Sequence, residues 1–172
     1  MSQTVAGLQV PTAIGRIDGH TNYASQAFVV ASGVTVTNGD FVYFSSGAIT
    51  SAAAYQARLI GMAEGTGTGT ATGTVTVSVC VDRNMRYLLK SVTSLTISNG
   101  TNSYIGQYFD ITNGTGTGVQ TVTAVGTTVG QFVLIGIPGM TGFPSSGLTG
   151  LPTGNYGVFV LANSFLNPYV AG

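Results

Sequence analysis

The chain has 172 residues, a length suited to one domain or at most two. Five basic and five acidic residues leave no formal net charge, and the single Lys excludes a nucleic-acid binder, which needs a basic stripe to displace phosphate counterions. One Cys excludes a disulfide framework, a thiolate zinc site and a Cys-ligated iron–sulfur cluster.

Few charges point elsewhere to disorder or to membranes, and neither fits. Disorder requires low hydrophobicity or high charge, whereas 44% of this chain is hydrophobic. A membrane helix needs roughly 18 consecutive apolar residues, and no stretch approaches that, so no membrane partner is expected. The start, Met1-Ser2-Gln3-Thr4, has neither a basic region nor an apolar signal core. The expectation is a soluble all-β protein folded in a reducing cytoplasm. Thr, Ser and Gly keep a neutral surface hydrated but guard it poorly against association. Much of that surface is therefore expected to be covered in the working state.

In chain order, residues 1–25 show no helical period, and Pro11 interrupts any helix. They read as an extended N-terminal arm. Strand signals begin with Ala27 to Val30 and continue as the alternation Val34-Thr35-Val36-Thr37, which ends at the turn pair Asn38-Gly39. Phe41 to Phe44 is a dense apolar run closed by Ser45-Ser46-Gly47. Ala52 to Ala54 can form one helical turn, and Arg58 to Ala63 reads as a buried strand. Residues 65–74, GTGTGTATGT, read as an exposed loop or hairpin tip. Val75 to Val81 is the clearest alternating strand, with its Val residues on one side and Thr, Ser and Cys on the other. Further strands are expected at Leu95 to Ser98, Tyr104 to Ile111, Val119 to Val125, Phe132 to Ile137 and Val158 to Leu161. Residues 113–118, NGTGTG, form a second soft segment, and 138–157 reads as a long irregular loop.

About eight to ten short antiparallel strands, with turn signals every ~8–12 residues, make a small β-barrel or sandwich. The division is an extended arm at 1–25, a β-barrel body at 26–137, and a Gly/Pro-rich loop with a C-terminal strand and tail at 138–172.

The search for chemistry finds little. Asp18-Gly19-His20 puts a carboxylate and an imidazole on one face of an extended segment, as a base with its orienting group or as two metal ligands. The plainer reading is a solvated turn, because no further donors stand nearby. Cys80 among valines reads as a small strand residue, since a catalytic thiol needs a base partner. The Gly-rich run at 65–74 lacks the Gly-Lys-Ser/Thr of a phosphate loop and opens into a strand. Asp82, Arg83, Arg86 and Lys90 form the only charge cluster, either a partner-contact patch or a solvated loop. The acids are too scattered to mark an acid/base couple. Eight Tyr could line a sugar groove, although such residues more often fill small β-cores. No constellation supports an enzyme, and no metal or cofactor site is expected.

The order of features carries a resemblance. Gly15-Arg16-Ile17-Asp18-Gly19 and Tyr23 precede GVTVTNGDFVYF at 33–44, and then Leu59-Ile60-Gly61-Met62-Ala63 and a Gly-rich link into Val-Thr-Val-Ser-Val. Tyr104 to Ile111 and Gly130 to Gly136 continue the pattern. The chain resembles the β-rich decoration, or structural cement, proteins of tailed-bacteriophage capsids over about residues 10–137, with nothing matching beyond Pro138. The resemblance implies a non-enzymatic virion protein on the capsid exterior, made in the host bacterial cytoplasm. Its implied partners are the major capsid protein and itself, as a homotrimer, and it needs no cofactor. The arm residues Val10, Pro11, Ile14 and Arg16, and the patch residues Arg83 and Arg86, are the expected capsid or subunit contacts. The competing readings are a receptor- or carbohydrate-binding module of a phage fibre or spike, and then a major coat protein.

Overall fold

A computed structural model describes residues 11–53, 58–95, 104–125, 130–138 and 155–162. Among them every regular element is a strand. In chain order these are β1 (Thr12–Arg16), β2 (Ser25–Val29), β3 (Thr35–Val36), β4 (Phe41–Ser45), β5 (Ala48–Ser51), β6 (Gly61–Ala63) and β7 (Gly67–Thr68). They continue as β8 (Thr76–Cys80), β9 (Met85–Ser91), β10 (Tyr108–Asn113), β11 (Thr121–Ala124), β12 (Phe132–Gly136) and β13 (Tyr156–Leu161).

The larger sheet runs β1-β9-β11-β10-β12-β13, and β13 pairs back onto β9. Five strands thus close into a barrel, which removes their free edges, and β1 is added outside on β9. All its pairings are antiparallel except β11 with β9. The second sheet runs β2-β8-β6-β4-β5. It curls until Val30 bridges Ile49, and the Ala31 N–H donates to the Ile49 carbonyl at 2.9 Å. β3 and β7 form a small ribbon beside it.

β4 is a dense apolar run because it is buried on both faces. Phe41 and Tyr43 face the barrel core, while Val42 and Phe44 face the interior of the second sheet with Val36, Ile49, Val77 and Val79. The β4–β5 hairpin turns through Ser46 and Gly47, with φ of 51° and 85°. Two positive φ values suit the twist of a two-residue hairpin, and Gly takes such a φ without strain. β8 alternates as expected, with Val77 and Val79 buried on one side and Cys80 turned into the barrel core on the other.

Phe41, Met62 and Cys80 of the second sheet share one core with Tyr87, Phe109, Phe132 and Phe159 of the barrel. The Phe41 ring stands edge-on to Tyr87 at 4.9 Å and to Phe132 at 4.7 Å. Each such pair adds about 0.5–1.5 kcal/mol beyond the area it buries. Phe41 is the plug that makes two sheets one body.

Several segments differ from their sequence reading. Ala52 and Ala53 are not helical, and Ala54 lies outside the described residues. The expected loop at 65–74 is partly structured: β7 pairs with β3, and Gly69 is buried. The arm reading covers β1, which is paired into the barrel sheet, while the C-terminal strand expected at Val158 to Leu161 is present as β13 and also joins that sheet. β9 offers a row of backbone donors and acceptors on each side, and a neighbouring strand satisfies them more fully than water at a crowded surface. Leu95 is buried, while the rest of the expected strand there is outside the described residues.

Candidate functional site

Four of the chain's ten charged residues, Arg16, Asp18, Asp82 and Arg86, lie where β1 meets β9. β1 pairs Thr12 with Leu88 and Ala13 with Tyr87, then slips so that Gly15 faces Arg86 and Arg16 faces Met85. Ile14 is the extra residue of this bulge, and a bulge re-aims the side chains that follow it. Arg16 consequently reaches two carboxylates. Its guanidinium bonds Asp18 at 2.6 Å and also bonds Asp82, which is buried. Asp82 in turn accepts the Asn84 N–H at 2.9 Å. The Arg16 hydrogen bond holds the Asp18 carboxyl far below the usual carboxylate range, and Asp18 raises Arg16 in return.

Asp18 and His20 do meet, but through the His20 backbone N–H, which donates to Asp18 Oδ1 at 3.1 Å. The carboxylate is engaged by Arg16 and does not orient the imidazole. Arg86 differs from Arg16: its Nε donates to the Gly15 carbonyl at 3.3 Å, and among the described residues it has no carboxylate partner.

A cleft of about 410 Å³ opens here, lined by Ala13 to Arg16 of β1, by Gly19, His20, Thr21 and Tyr23, and by Met85 and Arg86 of β9. Tyr23 is 48% exposed there, and Ile17, directly after β1, is 56% exposed. The Tyr23 hydroxyl hydrogen-bonds Glu64, which raises the pKa of the phenol. Glu64 also accepts Ser25 Oγ at 2.6 Å and Ser78 Oγ at 3.2 Å.

The expected contact residues divide accordingly. Ile14, Arg16 and Arg86 come together at the cleft. Arg83 is exposed on the turn that precedes β9, and Pro11 is buried. Val10 lies outside the described residues.

Cys80 is fully buried, and burial pushes its thiol above the ordinary value. The Tyr87 hydroxyl donates to its Sγ at 3.9 Å, and Tyr87 is itself raised by burial. Neither group is poised to ionise. Among the described residues, no three His, Cys, Asp or Glu side chains gather where a metal could be held.

A polar seam that sequence reasoning missed joins the two sheets. Buried Asp40 accepts the Thr37 N–H at 2.8 Å and the Gly118 N–H at 2.9 Å. Buried Gln120 accepts the Phe41 N–H at 2.7 Å and donates to the Ala52 carbonyl at 2.7 Å. Ser51 Oγ accepts the Gly116 N–H at 2.8 Å. Gln131 repeats the device, accepting the Ile111 N–H at 2.7 Å and donating to the Ala53 carbonyl at 3.1 Å. The available signal was positional: Asp40, Gln120 and Gln131 each stand immediately before a strand, β4, β11 and β12.

Against known proteins, no family model matches this chain and no curated protein matches it in sequence.

Proposed function

We propose that this is a virion structural protein that decorates and stabilises a tailed-phage capsid by bridging major capsid proteins. The observation that supports it most is the position of β1. It lies outside a closed barrel, is paired on one side only among the described strands, and follows directly on the N-terminal ten residues. Such an edge accepts a strand from a neighbour through main-chain hydrogen bonds, with little demand on side-chain identity. The cleft beside it adds Arg86 and the exposed Tyr23, and the exposed Ile17 follows β1 directly. A surface with few charges lowers the desolvation cost of docking, and many copies on one shell turn modest contacts into high avidity. Assembly as a homotrimer supplies several such edges per particle.

The test is cosedimentation with expanded, undecorated capsids. Saturable binding at a constant ratio to the major capsid protein is expected. Deleting residues 1–10 spares β1 and the Arg16–Asp82 pair, and is expected to weaken binding without unfolding the barrel. Absence of capsid binding by the full chain overturns the proposal.

One observation favours a second reading, a receptor- or carbohydrate-binding module of a fibre or spike. Tyr23 exposes its ring within a cleft that also holds Arg86, and an aromatic face with a polar neighbour suits a sugar. Glycan-array binding lost in Tyr23→Ala supports that reading, and a flat array removes it.

A further inference from the structure

Two Asn-Gly pairs lie in the described residues, and their surroundings differ in the atom that matters for chemistry. Asparagine is among the thermally labile residues. In an Asn-Gly pair, the backbone nitrogen of Gly can attack the side-chain carbonyl carbon of Asn. A C–N bond forms, the nitrogen gives up its proton, and ammonia leaves. The resulting five-membered imide is opened by water to aspartate or isoaspartate. The attacking nitrogen must be free of other hydrogen bonds and able to turn toward the side chain.

Gly39 fails that requirement. Its N–H donates to the Ala63 carbonyl at 2.9 Å, the residue is buried, and the Asn38 N–H is held by Thr66 Oγ1 at 3.0 Å. Gly114 meets it. Asn113 is exposed at the end of β10, and the Gly114 N–H donates to no acceptor among the described residues. We propose that Asn113 is a site of spontaneous deamidation in the folded protein, and that the Asn38–Gly39 pair is protected by the fold.

The site is placed where the product alters structure. A Cβ on Gly114 would lie 2.6 Å from the Val119 carbonyl oxygen and 2.8 Å from the Gln120 Cα. The turn therefore packs closely against Val119 and Gln120, and isoaspartate, which lengthens the main chain at residue 113 by one methylene, must displace it. Displacement draws Gly116 from Ser51 and Gly118 from Asp40, the bonds that tie this turn to the second sheet. Ageing at Asn113 thus unfastens the seam.

Native protein is aged in mildly alkaline buffer, and each Asn-Gly peptide is followed by mass spectrometry, with a parallel sample unfolded in urea. In the native sample Asn113 is expected to convert at least about tenfold faster than Asn38, a ratio that ~1.4 kcal/mol of barrier supplies. In urea the two rates are expected to converge. Asn113→Gln, at an exposed position, is expected to keep its melting temperature on ageing, while the converted fraction of the unmodified chain melts lower. Equal native rates at the two sites overturn the proposal. So does an Asn113 that stays intact in the native protein over the time in which it converts in urea.

Discussion

Residues 65–74 and 113–118 both alternate glycine with threonine, yet the fold holds them by different means. The second run is held from outside. Ser51 and Asp40 accept the Gly116 and Gly118 N–H groups, and Thr37 Oγ1 donates to the Gly116 carbonyl at 2.8 Å. The first run is held by backbone approach. The Gly69 N–H donates to the Val34 carbonyl at 2.8 Å, and Gly69 accepts the Gly33 N–H at 3.0 Å. Beyond it the chain turns outward, and Thr70, Thr72 and Thr74 are exposed and bond along their own row. Low complexity thus hides two separate demands, one for donors at defined places and one for absence of a side chain.

The largest expected effect comes from Gly69. A Cβ there would lie 2.0 Å from the Ala31 carbonyl oxygen, an overlap with backbone that no rotamer relieves. Gly69→Ala is expected to cost about 4 kcal/mol or more in urea unfolding. Gly73 is the control from the same run: it has φ of 65° and nothing within 4 Å of an added Cβ. Gly73→Ala is expected to cost only about 1 kcal/mol, from backbone strain alone. Equal costs at the two positions remove the distinction between space and conformation.

Next comes the seam. Asp40→Ala leaves the part-buried Thr37 N–H and the buried Gly118 N–H without this acceptor, and about 1–3 kcal/mol is expected for each. Chemical denaturation measures it, and amide exchange should show residues 113–118 losing protection while β7 keeps it.

pH sharpens the same contrast between the seam and the rim. Burial raises the pKa of Asp40 above the ordinary carboxylate value. Its contribution to stability is therefore fully present below the unfolded value and lost as pH rises through the raised one. Asp18 has the opposite sign. Its depressed pKa contributes stability above the ordinary carboxylate range, lost as pH falls through the lowered value. Melting curves across the acid range should show Asp40→Asn and Asp18→Asn tilting the profile in opposite directions.

The smallest effect is at Tyr87. Among the described residues its hydroxyl has only the Cys80 sulfur as partner, so Tyr87→Phe is expected to change stability by less than about 1 kcal/mol. Thiol reagents should label Cys80 only after unfolding.

These contrasts also show what could be read from the residues alone. β4 and β8 were legible because their side-chain pattern is local: Phe41 to Phe44 is buried on both faces, and the Val residues of β8 alternate with Thr and Ser. The barrel-or-sandwich class followed from the spacing of such runs. The seam was not legible, because Asp40 meets Gly118 across 78 positions and no periodicity links them. The Gly-Thr runs read as loops because a glycine required for space looks the same as one required for a turn. The rim was half legible. Arg86 stood out in the charge cluster and Arg16 in the arm, but that Arg16 meets two carboxylates while Arg86 bonds the Gly15 carbonyl depends on the bulge at Ile14.

On the proposal, β1 and the cleft beside it are the capsid-facing edge. Amide exchange on free and capsid-bound protein tests it most directly. Added protection is expected to concentrate in Thr12–Arg16 and residues 19–23, with the far side of the barrel unchanged. Saturable capsid binding that leaves β1 exchange unaltered and protects another surface would contradict it.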